Sequence, residues 1–109
     1  MPNPPTVSDA FQAFLREAPG HAQAWMQAVQ GLDRASALDK KTASLAYLAA
    51  LAVLGLESGV PFHVGLAKAA GASRAEVISA ILVGLPAAGN IVTRSLPAAL
   101  GAYDATPPP

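Results

Sequence analysis

Apolar residues recur along this chain at three- and four-residue intervals, the spacing that gathers them on one face of an α-helix. Nowhere do β-branched and polar residues alternate long enough to predict a strand. Ser8 predicts the N-cap of a first helix, with Asp9 favourable in its first turn. Phe11, Phe14, Leu15 and Ala18 share a face, and Pro19–Gly20 is expected to end the helix. A second helix is predicted from about His21 to Gln30, burying Trp25, Ala28 and Val29, with Gly31 as its stop. The third runs from about Asp39 to Ser58. Its middle, Leu45 to Leu56, is apolar nearly all round, which predicts a helix enclosed on every side.

Gly59 to Pro61 breaks the pattern. Proline suits the first turn of a helix, where its missing N–H is not needed, so Pro61 opens a fourth helix that reaches Ala70 and is closed by Gly71. Ser73-Arg74-Ala75-Glu76 reads as a capping box: the serine accepts from the amide three residues on, and the glutamate reaches back. The fifth helix turns Val77, Ile78, Ile81, Leu82 and Leu85 to one side. Leu85–Pro86 interrupts it, and a last helix is predicted from about Ala87 to Tyr103, kinked at Pro97. The fold class is therefore all-α, a single-domain bundle of about six helices over residues 8–104. A Pro-rich tail at 1–7 is expected to be disordered, and one at 105–109 frayed.

Composition sharpens this picture. Alanine, the best helix former, fills about a quarter of the positions. The chain of 109 residues is 52% hydrophobic and only 13% charged. Too few charges to cover so small a domain imply that other subunits cover part of it, so self-association is expected. The net charge is zero and no basic cluster exceeds Lys40–Lys41, which argues against nucleic-acid binding. No cysteine is present, which excludes disulfides, thiolate metal sites and thiol redox cycles. Met1 to Thr6 lacks the basic-then-apolar order of a signal peptide. The longest apolar run, Ala43 to Leu56, is shorter than the ~20 residues that a bilayer requires. Neither a membrane nor a nucleic acid is an expected partner, and a cytoplasmic location is.

Polar side chains are few enough to weigh singly. His63 flanks the Phe62, Leu66, Ala69, Ala70 arc one turn into a helix and should be at least half buried. It is either a core-edge histidine bonded to a carbonyl or a proton donor and acceptor in a pocket. Glu57 lies just before the Gly59–Pro61 break and either meets His63 across the corner, where it would raise the imidazole pKa, or ends its helix in solvent. Tyr47 shares a side of the third helix with Ser44, Leu51 and Ser58; it lines the same pocket or is plain core. Asn90 and Arg94, one turn apart on the last predicted helix, suit an anionic substrate, although solvent or a subunit interface explains them equally. Glu76 is accounted for by its capping box, and His21 reads as structural. Two isolated histidines without metal-site spacing predict no metal.

The order of these signals resembles the carboxymuconolactone decarboxylase / alkylhydroperoxidase D-like superfamily. The resemblance is carried by Leu38-Asp39-Lys40-Lys41 opening a long Ala/Leu helix, the corner ending in His63, and Gly71-Ala72-Ser73-Arg74-Ala75-Glu76-Val77. An apolar helix and the Gly84 to Asn90 break complete it, over roughly Phe11 to Leu100. The peroxidase branch carries C-x-x-C followed by x-x-x-H, with a glutamate twelve residues before the first cysteine. Laid on His63, those positions are Leu56, Gly59 and Ser44, so only the histidine matches and thiol peroxidase activity does not carry over. The cysteine-free decarboxylase branch keeps a histidine in a context similar to Val60-Pro61-Phe62-His63.

The resemblance implies an alkylhydroperoxidase D-like fold assembled as trimers or hexamers. It also implies cofactor-independent acid–base chemistry on a small carboxylated lactone or aromatic catabolite, with His63 moving the proton. The catalytic candidates are His63 and Glu57, and the substrate-binding candidates Tyr47, Asn90 and Arg94. No cofactor is expected. The alternative is a non-catalytic oligomeric binding or scaffold protein that keeps the fold.

Overall fold

A computed structural model of the chain describes residues 7–107. Of the expected tails at 1–7 and 105–109, residues 1–6 and 108–109 lie outside the described residues, and Ala105 is the last residue of the final helix and not part of a frayed tail. Among the described residues there is no strand. The elements are α1 (Asp9–Glu17), α2 (Pro19–Ala35), α3 (Lys40–Leu54), α4 (Val60–Ala69), α5 (Arg74–Leu82), α6 (Leu85–Ala88) and α7 (Leu96–Ala105). Two 3₁₀ stretches, Glu57–Gly59 and Gly89–Ser95, join them. Segments that follow one another directly merge into five longer units, where the pattern predicted about six.

The centre of the body is α3, against which α4, α5 and the Gly89–Ser95 stretch pack, with α7 closing over α4 and α5. Leu48, Val60, Val64, Val77, Ile81 and Val92 are wholly shielded from solvent there. Asp39 caps α3 by accepting the Thr42 amide proton at 2.8 Å, and the resulting bonds hold its carboxyl below the usual range. The helix ends at Leu54 and not near Ser58, because Gly55 turns left-handed at φ 70°. There the Leu56 amide bonds back to the Leu51 carbonyl, a closure that glycine permits without steric penalty. The corner then tightens through Glu57–Gly59, and Pro61 sits in the first turn of α4 as expected.

Polar ties hold the far end of the body. The Ser73–Glu76 capping box opens α5 with both of its bonds formed. Glu76 also meets Lys41 at 2.8 Å, and this pairing keeps its carboxyl below the usual range. Arg74 grips Asp104 through two bonds of 3.0 and 3.2 Å, linking the start of α5 to the end of α7. Lys68 donates to the Tyr103 carbonyl at 2.8 Å and to the Thr106 carbonyl, and lies 4.4 Å from the Tyr103 ring centre. A cation there satisfies carbonyls that the end of α7 leaves without intrahelical partners.

Several boundaries differ from the sequence reading. Pro19 does not close the first helix; it opens α2, the first helix having ended at Glu17. Gly31 does not stop α2, which continues to Ala35; a glycine in a helix interior costs only about 1 kcal/mol relative to alanine. Pro97 does not kink a long last helix but starts α7, in the first turn where proline is tolerated. Arg74–Ala105 contains an 18-residue window with a mean hydropathy of 1.7 and by length and composition alone could cross a bilayer. It is instead broken after Leu82 and again at Gly89, whose φ is 77°. Its first piece, nine residues long, spans only ~14 Å at the helical rise, against a hydrocarbon core of ~30 Å.

The largest difference lies in the first third of the chain. Ser8 caps α1 as predicted, and α1 packs on α2. Only Ala22 of α2 is buried, however; Trp25 is 55% exposed and Leu32 70%. Nor is α3 enclosed on every side. Leu48, Leu51 and Ala52 are buried on one side, while Tyr47, Val53 and Leu54 are open on the other.

Candidate functional site

The corner between α3 and α4 gathers most of the candidates. The imidazole of His63 lies half-buried in the first turns of α4 and stacks on Tyr47 of α3, ring centres 4.2 Å apart and planes 32° from parallel. Phe62 meets the same imidazole edge-on at 5.3 Å. Among the described residues neither ring nitrogen of His63 has a hydrogen-bond partner. Burial among apolar neighbours penalises the charged ring and pushes its pKa below the ordinary 6.5. The imidazole is therefore neutral near pH 7, with its nitrogens free for an incoming group.

The partner of Glu57 is Arg94, not His63. Arg94 Nε stands 2.9 Å from Glu57 Oε1, while no ion pair or hydrogen bond joins Glu57 to His63 among the described residues. The carboxylate expected to raise the histidine pKa is thus engaged elsewhere, and desolvation alone sets the direction. Glu57 Oε1 is sealed from solvent and receives no aligned donor. The Arg94 N–H does not point along the short line between the two atoms, so the contact is ionic and not a directed hydrogen bond. With Arg94 64% and Glu57 40% exposed, such a pair is worth at most ~1 kcal/mol, and the guanidinium keeps donors to spare.

Asn90 does not join this group. Its carbonyl and Oδ1 both accept from the Thr93 hydroxyl, at 2.8 and 3.3 Å. The reason is local geometry. In an α-helix residues 90 and 94 would share a face, but Gly89–Ser95 is a 3₁₀ stretch, where residues three apart eclipse and those four apart diverge. Tyr47 is not core, being 51% exposed; it is the open wall of the corner. The pairing of Glu57 with Arg94, thirty-seven positions later, went unread in the sequence, where no local spacing connects them. Two open grooves lie elsewhere. One, of about 740 Å³, runs between α3 and α5 past Lys41 and Glu76; the other, of about 440 Å³, lies between Phe14 of α1 and Trp25 of α2.

Residues 19–102 match the sequence profile of the carboxymuconolactone decarboxylase family. The chain belongs to that family. No curated protein and no solved structure matches it. The match begins at the first residue of α2 and ends within α7, so it takes in α2, α3 to α6 and most of α7. This member of the carboxymuconolactone decarboxylase family has no cysteine. At its α3–α4 corner Leu56 precedes the 3₁₀ turn and Gly59 ends it, and His63 is the titratable ring that the turn presents.

Proposed function

We propose that the chain is a carboxymuconolactone decarboxylase-like enzyme that performs cofactor-independent acid–base chemistry on a small carboxylated lactone or related acid. The observation that carries this reading is a neutral, unpartnered imidazole stacked on Tyr47 at the α3–α4 corner, the corner at which the largely exposed Arg94 guanidinium meets Glu57. Arg94 supplies charge for a substrate carboxylate in a planar, two-donor geometry, and Glu57 limits how far that guanidinium swings. Tyr47 and Phe62 offer apolar walls to a small ring. When a carboxylate leaves as CO₂, the electron pair of the broken C–C bond remains on the substrate and one proton must be delivered to carbon. That proton comes from solvent: once the ring is protonated its depressed pKa makes it give the proton up readily, one solvent proton being consumed for each CO₂ released, and this relay is the role assigned to His63. The proposed setting is a self-associated protein in the cytoplasm.

The test is CO₂ release from a carboxylated γ-lactone by purified protein, followed with His63→Gln and Arg94→Gln. Loss of a general acid–base group costs about 10²- to 10⁴-fold in rate, so His63→Gln should lower kcat on that scale. Arg94→Gln should chiefly raise KM. Wild-type protein that neither turns over nor binds such lactones would favour the second reading, an oligomeric binding or scaffold protein. One observation already leans that way: neither of the two grooves described above is lined by His63.

A further inference from the structure

Two apolar surfaces of this chain face solvent, one on α2 and one on α3. On α2 the positions of Trp25, Val29 and Leu32 fall within one narrow arc of the helical wheel. Gln23, Gln27, Gln30 and Arg34 occupy the opposite arc. On α3 the face turned away from the core carries Ala46, Tyr47, Ala50, Val53 and Leu54, all exposed and all uncharged. The small Ala46 and Ala50 stand between larger neighbours, a spacing that lets a facing helix approach closely. The lengths agree as well: seventeen and fifteen residues, or ~25 and ~22 Å at the helical rise.

In the chain as it stands α2 does not lie along its own α3. The linker is set straight at both ends, Ser36 at ψ 139° and Asp39 at ψ 168°. Side-chain bonds hold it there, Leu38 N–H donating to Ser36 Oγ at 3.1 Å and Thr42 N–H to Asp39 Oδ1 at 2.8 Å. We infer that α2 of one copy docks antiparallel on the exposed face of α3 in a second copy, an exchange of arms through the Ser36–Asp39 linker.

Charge supports this direction. Asp33 and Arg34 at the end of α2 come beside Lys40 and Asp39 at the start of the partner's α3, opposite signs together, and nothing charged is trapped along the seam. With Asp33 level with Lys40, Trp25 is level with Leu48, one position from the Tyr47 that stacks on His63. The two faces together leave six large apolar side chains exposed, Trp25, Val29 and Leu32 on α2 and Tyr47, Val53 and Leu54 on α3. The docked indole would roof the open side of the corner. The docking stands without the chemistry proposed above; only the benefit to catalysis rests on that reading.

The cysteine-free chain allows a clean test. Full-length Val29→Cys and Ala46→Cys are purified separately, checked for native helix content, mixed and oxidised. The expected result is a disulfide-linked product of two chains, about 22 kDa from the 11.0 kDa chain, that is abundant in the mixture and scarce with either variant alone. In wild-type protein the emission of Trp25, the sole tryptophan, should shift to the red on dilution, at the concentration where light scattering falls to a single-chain mass. The inference is overturned if the folded mixture gives no linked pair. It is equally overturned if the double variant closes its disulfide within one chain, or if Trp25 emission stays blue in a single-chain species. None of these readouts depends on turnover, so arm exchange in a catalytically inert protein would sink the proposed function and leave this inference intact.

Discussion

The α1–α2 hairpin and the α3–α7 body are written in the same alphabet of alanine, leucine and valine at helical spacing, yet they end up in different states. In the body, α3 and α4 are joined by a corner of five residues, Gly55 to Gly59, in which a left-handed glycine and a 3₁₀ turn fold α4 back against α3. In the hairpin, α2 leaves through a linker held extended by two side-chain caps, and its stripe stays uncovered. Periodicity thus tells which residues share a face. Whether that face is covered is decided by the connections, and of these two only the corner contains a residue at positive φ, Gly55.

The contrast predicts stability effects of very different size. Ile81→Ala removes a wholly shielded side chain from the body and should cost about 2–5 kcal/mol in urea unfolding, through lost burial and the cavity left behind. Leu32→Ala, measured where the chain is dilute enough to be single, should cost less than about 0.5 kcal/mol, because that side chain is 70% exposed. Equal costs would mean that the hairpin is packed within its own chain, and the comparison would fail. An intermediate effect is expected from Lys68→Met, which deprives two carbonyls at the end of α7 of their donor. It should lower stability by about 1–3 kcal/mol, while Arg34→Met in the last turn of α2 should stay within ~0.5 kcal/mol.

The parts of this fold legible in the sequence are those fixed by contacts a few residues long. Ser8, Asp39 and the Ser73–Glu76 box were readable as helix starts because a cap is a bond across three positions, and Pro61 because its ring suits a first turn. The end of α3 was not, since Gly55 sits inside an apolar run whose pattern continues unbroken past it. Trp25 and Val29 were read as buried from a face that is real but open. At the site, His63 was singled out by its half-apolar wheel position, and the structure gives it a stacked tyrosine and no hydrogen-bond partner. The role of Arg94 as the partner of Glu57 depends on the Gly89–Ser95 stretch meeting the α3–α4 corner, a tertiary contact without sequence periodicity. Asn90 was aligned with Arg94 on an α-helical wheel that the 3₁₀ geometry does not follow.

The smallest of these effects, and the closest to the chemistry, belongs to His63. Its folded pKa lies below 6.5, so between the two values the unfolded chain holds more protons than the folded one. Stability contributed by the neutral ring is therefore fully present above the unfolded pKa and is lost as pH falls from 6.5 through the folded pKa. Asp39, Glu76 and Asp104, whose carboxyls are held low by their partners, withdraw stability only at more acid pH, as it falls through their own folded pKa values. NMR titration of the His63 ring, with and without a small carboxylated lactone, reads the central claim directly, His63→Gln serving to assign the signal apart from His21. The account predicts a midpoint below 6.5 in the free protein that rises when the carboxylate binds. A midpoint at or above 6.5 that no carboxylate moves would contradict it.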